Sequence, residues 1–227
     1  TELRADISVT KSNGSLQKPY VEFHRSLDVE QGILETYKPI DNLLGGGFTG
    51  GKLIVMAGRP ATGKTALALN LMEQMFEKNE DVACDFFTFE MGQNELVTRL
   101  ISKKTRINSM LFVKKNNLSP ENKEKAREAY KDILTRYDLR VFTSEYSKLN
   151  DIKSAIKKNR ERKKNYVAFI DYAGLITVND SRKNERQVMN EVTRELKKLT
   201  TDYNITDILL AQSSRAVEYP GDGKPDW

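Results

Sequence analysis

The sequence predicts an α/β domain in which a mainly parallel, twisted sheet carries helices on both faces. Short apolar runs, typical of buried strands, alternate five times with segments whose apolar residues recur at helical spacing. The chain has 227 residues, 38% of them hydrophobic, which suits one large globular domain or a domain with an appended arm. It contains no apolar run of the roughly 20 residues that cross a bilayer and no signal-peptide core, so we expect a cytoplasmic protein.

The predicted strands and helices follow one another in alternation. The strands are residues 52–58, 81–89, 139–143, 165–176 and 205–214. The helices are residues 64–78, 94–104, 119–137, 148–164 and 185–204. The third helix has the clearest start, because Ser119 suits an N-cap and Pro120 suits the first helical position. In such a sheet, ligands bind beyond the carboxyl ends of the strands, so functional residues are expected there.

Residues 1–32 differ in character from the rest of the chain. They are polar, contain Gly14 and Pro19, and show no sustained hydrophobic period. We interpret them as an N-terminal arm or linker, within which VEFHRSLDVEQ (21–31) can form a short helix. Residues 33–227 are then predicted to form the domain itself.

Cysteine and histidine each occur once, as Cys84 and His24. The single residues exclude an internal disulfide, a zinc site built from cysteines and a Ser-His-Asp triad. Acid–base chemistry must therefore rest on carboxylates or lysines. Cys84 lies in a predicted strand and is interpreted as a small core residue. The formal net charge of +5 permits a polyanionic partner but does not require one.

The predicted helix 148–164 is strongly basic and is a candidate nucleic-acid surface. Ile152, Ala155 and Ile156 nevertheless give it an apolar side, as expected for a helix that covers a sheet. We therefore favour a solvated outer face over a polyanion-binding patch.

The first predicted strand runs into GRPATGKT (58–65), which fits the G-x-x-x-x-G-K-[ST] pattern of a phosphate-binding loop (P-loop, or Walker A motif). The preceding strand and the following helix make this match far more specific than the eight letters alone. Successive backbone N–H groups must wrap a phosphate, and Gly58 and Gly63 allow such a path. The Lys64 ammonium suits the β- and γ-phosphates of ATP, and the Thr65 hydroxyl suits Mg²⁺. The predicted nucleotide-binding residues are Gly58, Arg59, Pro60, Ala61, Thr62, Gly63, Lys64, Thr65 and Ala66.

Three polar residues end other predicted strands. Asp171 follows four apolar residues, the usual arrangement of a Walker B carboxylate that holds Mg²⁺, although a cap on the next turn is the alternative. Glu90 either orients water for hydrolysis or is an acid favoured by the dipole of the next helix. Gln212 either hydrogen-bonds the γ-phosphate or is an exposed polar residue leaving its strand. Spacing alone leaves the roles of Glu90 and Gln212 open.

Four blocks of the sequence, in order and with similar gaps, resemble the ATPase domain of the DnaB family of bacterial and phage replicative helicases. The blocks are YKPIDNLLGGGFTGGKLIVMAGRPATGKTALALNLM, TFEMGQNELVTRLIS, VAFIDYAGLI and EVTRELKKLTTDYNITDILLAQSSRAVE. The resemblance covers residues 33–220 and implies a RecA-like P-loop NTPase core. It implies that the Gln212 strand lies between the P-loop strand and the Asp171 strand, with the Glu90 strand beyond Asp171. By the same resemblance Glu90 is the catalytic base and Gln212 the γ-phosphate sensor, both acting with Lys64.

The resemblance also implies a motor that couples ATP hydrolysis to 5′-to-3′ movement on single-stranded DNA and to duplex unwinding during replication. ATP and Mg²⁺ are its implied cofactors, and its implied partners are DNA, a hexameric ring of identical subunits, primase and a helicase loader. A neighbouring subunit supplies an arginine to each ATP site in this family. Loops after two strands face the DNA channel, so Arg182, Lys183, Arg186 and Arg215 are predicted to contact phosphates, with an ordinary solvated loop as the alternative. The expected location is the bacterial cytoplasm, or the host cytoplasm for a phage protein.

Two departures from the family pattern are visible. The family carries a separate N-terminal helical domain, whereas only residues 1–32 precede the core here. The family also continues with further strands and the trans-acting arginine, whereas this chain ends at Trp227, so we expect a domain truncated at its C-terminus. Two other functions stay open: a RecA-type ring ATPase without helicase activity, and a non-catalytic nucleotide-binding module associated with a helicase.

Overall fold

The structure is a computed structural model that describes residues 33–113, 118–180 and 182–212. The strands are β1 (Ile33–Leu34), β2 (Phe48–Thr49), β3 (Lys52–Gly58), β4 (Val82–Thr88), β5 (Asp138–Phe142), β6 (Asn165–Asp171) and β7 (Thr206–Gln212). The helices are α1 (Lys38–Leu43), α2 (Lys64–Lys78), α3 (Gln93–Thr105), α4 (Met110–Val113), α5 (Pro120–Arg136), α6 (Leu149–Asn159) and α7 (Glu185–Tyr203). The predicted arm 1–32 and the segment that contains Arg215 lie outside the described residues.

Five strands form one parallel sheet in the order β3-β7-β6-β4-β5. The order confirms the arrangement implied by the family resemblance, because β7 lies between β3 and β6 and β4 lies beyond β6. All five strands therefore end at the same edge of the sheet, where the P-loop, Asp171 and Gln212 are found. The predicted fold class is confirmed.

Helices cover both faces of this sheet, and each face has its own apolar core. On one face α2, α3 and α5 pack over a cluster that includes Met72, Phe86 and Phe169. On the other face α6 and α7 pack over a cluster that includes Phe87 and Ile170. Burial of the strands on both faces explains why β4 is apolar almost throughout, as expected for a parallel sheet. Across the described ranges, no helix is long and apolar enough to cross a membrane.

Two interpretations of single residues and helices are confirmed by burial. Cys84 is fully buried among apolar neighbours, as expected for a small core residue. Ile152, Ala155 and Ile156 of α6 are buried in the core, while Lys157 and Lys158 on the same helix are exposed. The basic helix is thus an amphipathic cover of the sheet, in agreement with the sequence interpretation.

The observed element boundaries differ from the predicted ones at several ends. The helix predicted over 148–164 stops at Asn159, and the strand predicted over 165–176 stops at Asp171, because a 3₁₀ turn at Ala173–Leu175 follows it. The small β1–β2 pair and helices α1 and α4 were not predicted, since their short segments carry no recognisable hydrophobic period.

Candidate functional site

The P-loop joins β3 to α2 along a path that needs small residues. Ala61 and Gly63 have left-handed backbone angles, with φ of 60° and 87°. A Cβ atom on Gly58 would lie 3.0 Å from Oγ1 of Thr62, so the return of the loop leaves little room for a side chain there. Gly63 is the N-cap of α2 and has no side chain to cap it, which leaves the first N–H groups of the helix to an anion.

The Lys64 side chain folds back across this loop. Its Nζ donates to the carbonyl oxygens of Gly58 at 2.9 Å and Arg59 at 2.8 Å. The Thr62 hydroxyl donates to the same Arg59 carbonyl oxygen at 2.7 Å. The ammonium group is therefore held inside the curve of the loop, where phosphate oxygens are the acceptors for which such a loop is built.

Asp171, at the end of β6, meets the start of α2. Its Oδ2 accepts a 2.6 Å hydrogen bond from the Thr65 hydroxyl, and the residue is only 4% exposed. Burial raises the pKa of Asp171, while the bond from Thr65 opposes this rise; the nearby Glu90 carboxylate raises it further, and Lys64 lowers it. A hydroxyl and a carboxylate side by side are the hard oxygen donors that Mg²⁺ prefers.

A metal ion at this site would need further ligands. Across residues 33–113, 118–180 and 182–212, no three or more His, Cys, Asp and Glu side chains come together in a way that could hold an ion. Mg²⁺ is commonly bound through one or two protein oxygens together with water and substrate phosphates. The pair of Thr65 and Asp171 fits that pattern of binding.

Glu90 and Gln212 both lie at the edge of the sheet that bears the P-loop. The β4–β6 ladder pairs Thr88 with Asp171, and the N–H of Phe89 donates to the Asp171 carbonyl oxygen at 2.9 Å. Glu90 follows directly, two residues beyond the observed end of β4 rather than at the end of the strand, and is exposed. Gln212 is paired in register with Gly58, the first residue of the P-loop, and is also exposed. Their predicted roles as base and sensor stay predictions.

Arg99 is a residue of this region that the sequence analysis did not single out. It lies on α3, which begins directly after the Glu90 segment, and it pairs with Glu95 one turn earlier at 2.8 Å. Its charge, like that of Lys64, lowers the pKa of Asp171. The signal available in the sequence was the helical spacing of Glu95 and Arg99 immediately after a candidate catalytic acid.

The residues predicted to contact DNA are not all alike. Arg182 pairs with Asp180 at 3.0 Å and Lys183 pairs with Glu191 at 2.7 Å, so acidic neighbours offset two of these cations. Arg186 is exposed in the first turn of α7, which starts with a capping box formed by Asn184 and Gln187. Arg215 lies outside the described residues, and the predicted DNA contacts stay predictions.

Comparison with known proteins gives a consistent result. The family described as the DnaB-like helicase C-terminal domain matches residues 32–227. The replicative DNA helicase DnaB of Rickettsia typhi is 33% identical over 232 residues, which cover 96% of this chain and 44% of that protein. The DnaB of Geobacillus stearothermophilus is 31% identical over 196 residues, which cover 86% of this chain and 42% of that protein. The chain thus spans less than half the length of these relatives.

Two solved structures share the fold. One is the ATPase domain of another protein, with a TM-score of 0.77 and 24% identity, over 94% of this chain and 76% of that chain. The other is a DnaB-like replicative helicase, described with its interactions with primase, with a TM-score of 0.78 and 23% identity, over 93% of this chain and 52% of that chain. At these identities the likeness supports the architecture of the sheet and its helices.

Proposed function

Because the chain belongs to the DnaB-like helicase C-terminal domain family, we propose that it is the ATP-driven motor domain of a replicative DNA helicase. The observation that carries this proposal is the 2.6 Å contact between Thr65 of the P-loop and Asp171 of the neighbouring strand end. It places the two predicted Mg²⁺ ligands together in a phosphate-binding loop of a RecA-like sheet. We place the protein in a bacterial cytoplasm, as its relatives suggest.

The P-loop residues of the chain bind and orient the nucleotide in this proposal. Backbone N–H groups between Gly58 and Lys64 and the start of α2 surround the phosphates, while the Lys64 ammonium stabilises negative charge that develops during transfer. Thr65 and Asp171 hold Mg²⁺, which neutralises charge on the phosphate oxygens when it is bound. The nearby ends of β3 and β6 keep these groups in place.

Glu90 and Gln212 supply the steps that turn binding into work. Glu90 is exposed at the same rim, close enough to act on the pKa of Asp171, and we assign it the role of orienting and deprotonating the attacking water. Gln212, opposite Gly58 in the ladder, takes the role of detecting the γ-phosphate. Because the chain continues beyond Gln212 towards a segment with Arg215, a change at Gln212 can be passed to DNA-contacting residues.

The proposed substrate is single-stranded DNA, gripped through its phosphates by Arg182, Lys183, Arg186 and Arg215 in a hexameric ring that moves 5′ to 3′. An exchange of Asp180 and Glu191 for DNA phosphates as partners would free Arg182 and Lys183 for this contact. Such binding depends strongly on salt and weakly on base sequence. Primase and a loader protein are the proposed further partners, primase because a relative of the same fold is described with it.

Unwinding of a forked DNA duplex by the purified chain tests this function. We expect ATP-dependent strand separation that Lys64→Ala abolishes. ATP turnover without unwinding, in every oligomeric form, would instead indicate a ring ATPase that is not a helicase. Nucleotide binding without turnover at concentrations that form rings would indicate a non-catalytic module.

A further inference from the structure

Two aspartates lie in one cross-strand row in the interior of the sheet. Asp85 of β4 is in register with Ala168 of β6, and Ala168 is in register with Asp207 of β7. Residues in register on neighbouring strands point to the same face, so both carboxyl groups face the layer of α6 and α7. Both aspartates are fully buried, and neither belongs to the nucleotide site.

Asp85 has the partners that an ionised carboxylate needs. Its oxygens accept hydrogen bonds from Asn159 Nδ2 at 2.8 Å, Tyr166 Oη at 2.7 Å and Arg162 at 3.0 Å. The Arg162 guanidinium supplies the compensating charge. Burial raises the pKa of Asp85, but these three donors oppose the rise. Asp85 is therefore the member of the row that can carry a negative charge.

Asp207 lacks such partners. Neither of its carboxyl oxygens has a hydrogen-bond partner among the described residues. Its neighbours in register are Leu53 and Ala168, and apolar residues of the same cluster surround it. Burial raises the pKa of Asp207 well above its usual range, and the negative charge of Asp85 raises it further. A buried carboxylate with no donor and an anion nearby is strongly disfavoured relative to the neutral acid.

The other charged and titratable groups around Asp207 do not relieve this. Tyr166 of β6 is neutral and donates its proton to Asp85, and its own pKa is raised by burial and by both aspartates. Within the described residues, Asp85 is the one ionisable group whose charge acts on the pKa of Asp207, so β3, α6 and α7 offer no cation to it. Arg162 acts on Asp85 instead.

We propose that Asp207 is a neutral carboxylic acid in the folded protein at neutral pH, and that its ionisation makes β7 the pH-sensitive strand of the sheet. The row then carries one negative charge, on Asp85. β7 is held between β3 and β6, and loss of the proton places an unpaired charge in the middle of the fold. This inference does not depend on the proposed helicase function, because it concerns the stability of the sheet.

The direction of the pH dependence follows from the pKa change. Unfolding returns Asp207 to an ordinary pKa of about 3.9, whereas folding raises it. The stability that the proton provides is thus complete below about pH 3.9 and is lost as the pH rises through the folded-state pKa. Between these two values, the unfolding constant of the wild type increases about tenfold per pH unit relative to a variant that cannot titrate.

Urea unfolding of the purified chain at several pH values between about 5 and 8 tests the proposal. The comparison is wild type against Asp207→Asn, with Asp202→Asn, an exposed aspartate of α7, as the matched control. We expect the ratio of the wild-type to the Asp207→Asn unfolding constant to rise about tenfold per pH unit. The ratio for Asp202→Asn should stay constant, and parallel curves for all three proteins would overturn the proposal.

Infrared spectroscopy provides an independent measurement. The difference spectrum between wild type and Asp207→Asn at neutral pH should contain the carbonyl stretch of a protonated carboxylic acid. If Asp207→Asn does not fold, Asp207→Val replaces it in both experiments. A spectrum without this band would mean that Asp207 is ionised and held by a bound cation or donor, and would overturn the proposal.

Discussion

The Thr65 hydroxyl donates a 2.6 Å hydrogen bond to Oδ2 of Asp171, a residue 106 positions further along the chain. The contact joins the first turn of α2 to the end of β6. It exists because both β3, which leads into the P-loop, and β6 run parallel and end at one edge of the sheet, with β7 between them. The two predicted Mg²⁺ ligands are thus brought together by topology, and the proposed nucleotide chemistry centres on this pair.

Substitution of Thr65 tests the role of its hydroxyl. Thr65→Ala removes one hydrogen bond to a charged group, which is worth about 1.5–3 kcal/mol, so Mg²⁺–ATP affinity should fall roughly ten- to a hundredfold. Thr65→Ser keeps the hydroxyl and is the matched control, with affinity close to wild type. Titration of a fluorescent ATP analogue with and without Mg²⁺ measures the effect. Equal affinities for the Ala and Ser variants would show that the hydroxyl does not take part.

Glu90→Gln tests the assignment of the catalytic base. The amide is nearly the same size but cannot take a proton from water, so we expect ATP turnover to fall by about 10²–10⁴ while nucleotide binding is kept. Glu128→Gln, a change at an exposed glutamate of α5, is the control and should leave turnover unaltered. If the two variants hydrolyse ATP equally fast, another residue activates the water.

Arg99 is expected to make a smaller contribution to the same site. Its side chain is 43% exposed and paired with Glu95, so solvent screens its charge, and Arg99→Gln should reduce turnover by roughly fivefold or less. Arg99→Lys retains the cation and should recover most of the loss. Steady-state ATPase kinetics with a separate binding titration distinguish an effect on turnover from one on affinity. A loss of affinity that Lys does not restore would point to a purely structural role.

The buried network around Asp85 makes a prediction about stability. Arg162, itself only 13% exposed, pairs with the fully buried Asp85, so Arg162→Ala leaves a buried charge without its partner. We expect the free energy of unfolding to fall by about 3–5 kcal/mol. Lys164→Ala, at an exposed position two residues away, should change it by less than about 0.5 kcal/mol. Urea denaturation measures both, and a similar small change in the two variants would contradict the assigned role of Arg162.

The fold and the centre of the site were predictable because their signals are local. The apolar run at 52–58, the P-loop and the helix at 64–78 each follow from neighbouring residues, and their observed bounds match. Asp171 could be placed at a strand end for the same reason, although its contact with Thr65 depends on strand order. That order came from the resemblance between sequence blocks, and not from periodicity.

Other features depend on contacts between distant residues and left no local signal. In the sequence Asp85 only interrupts an apolar strand, and its role emerges once Asn159, Arg162 and Tyr166 are placed around it. The early end of α6 at Asn159 is part of the same network, since the residues that follow the helix turn so that Arg162 reaches Asp85. Asp207 likewise appears as one polar letter in a strand, and its burial follows only from its central position in the sheet.

ATP hydrolysis by the purified chain, measured with and without single-stranded DNA, tests the central claim most directly. We predict that DNA accelerates turnover by wild type, that increasing salt removes this acceleration, and that Glu90→Gln loses nearly all turnover in both conditions. Turnover that DNA leaves unchanged at low salt, or that Glu90→Gln retains, would contradict the account of this chain as a DNA-driven helicase motor.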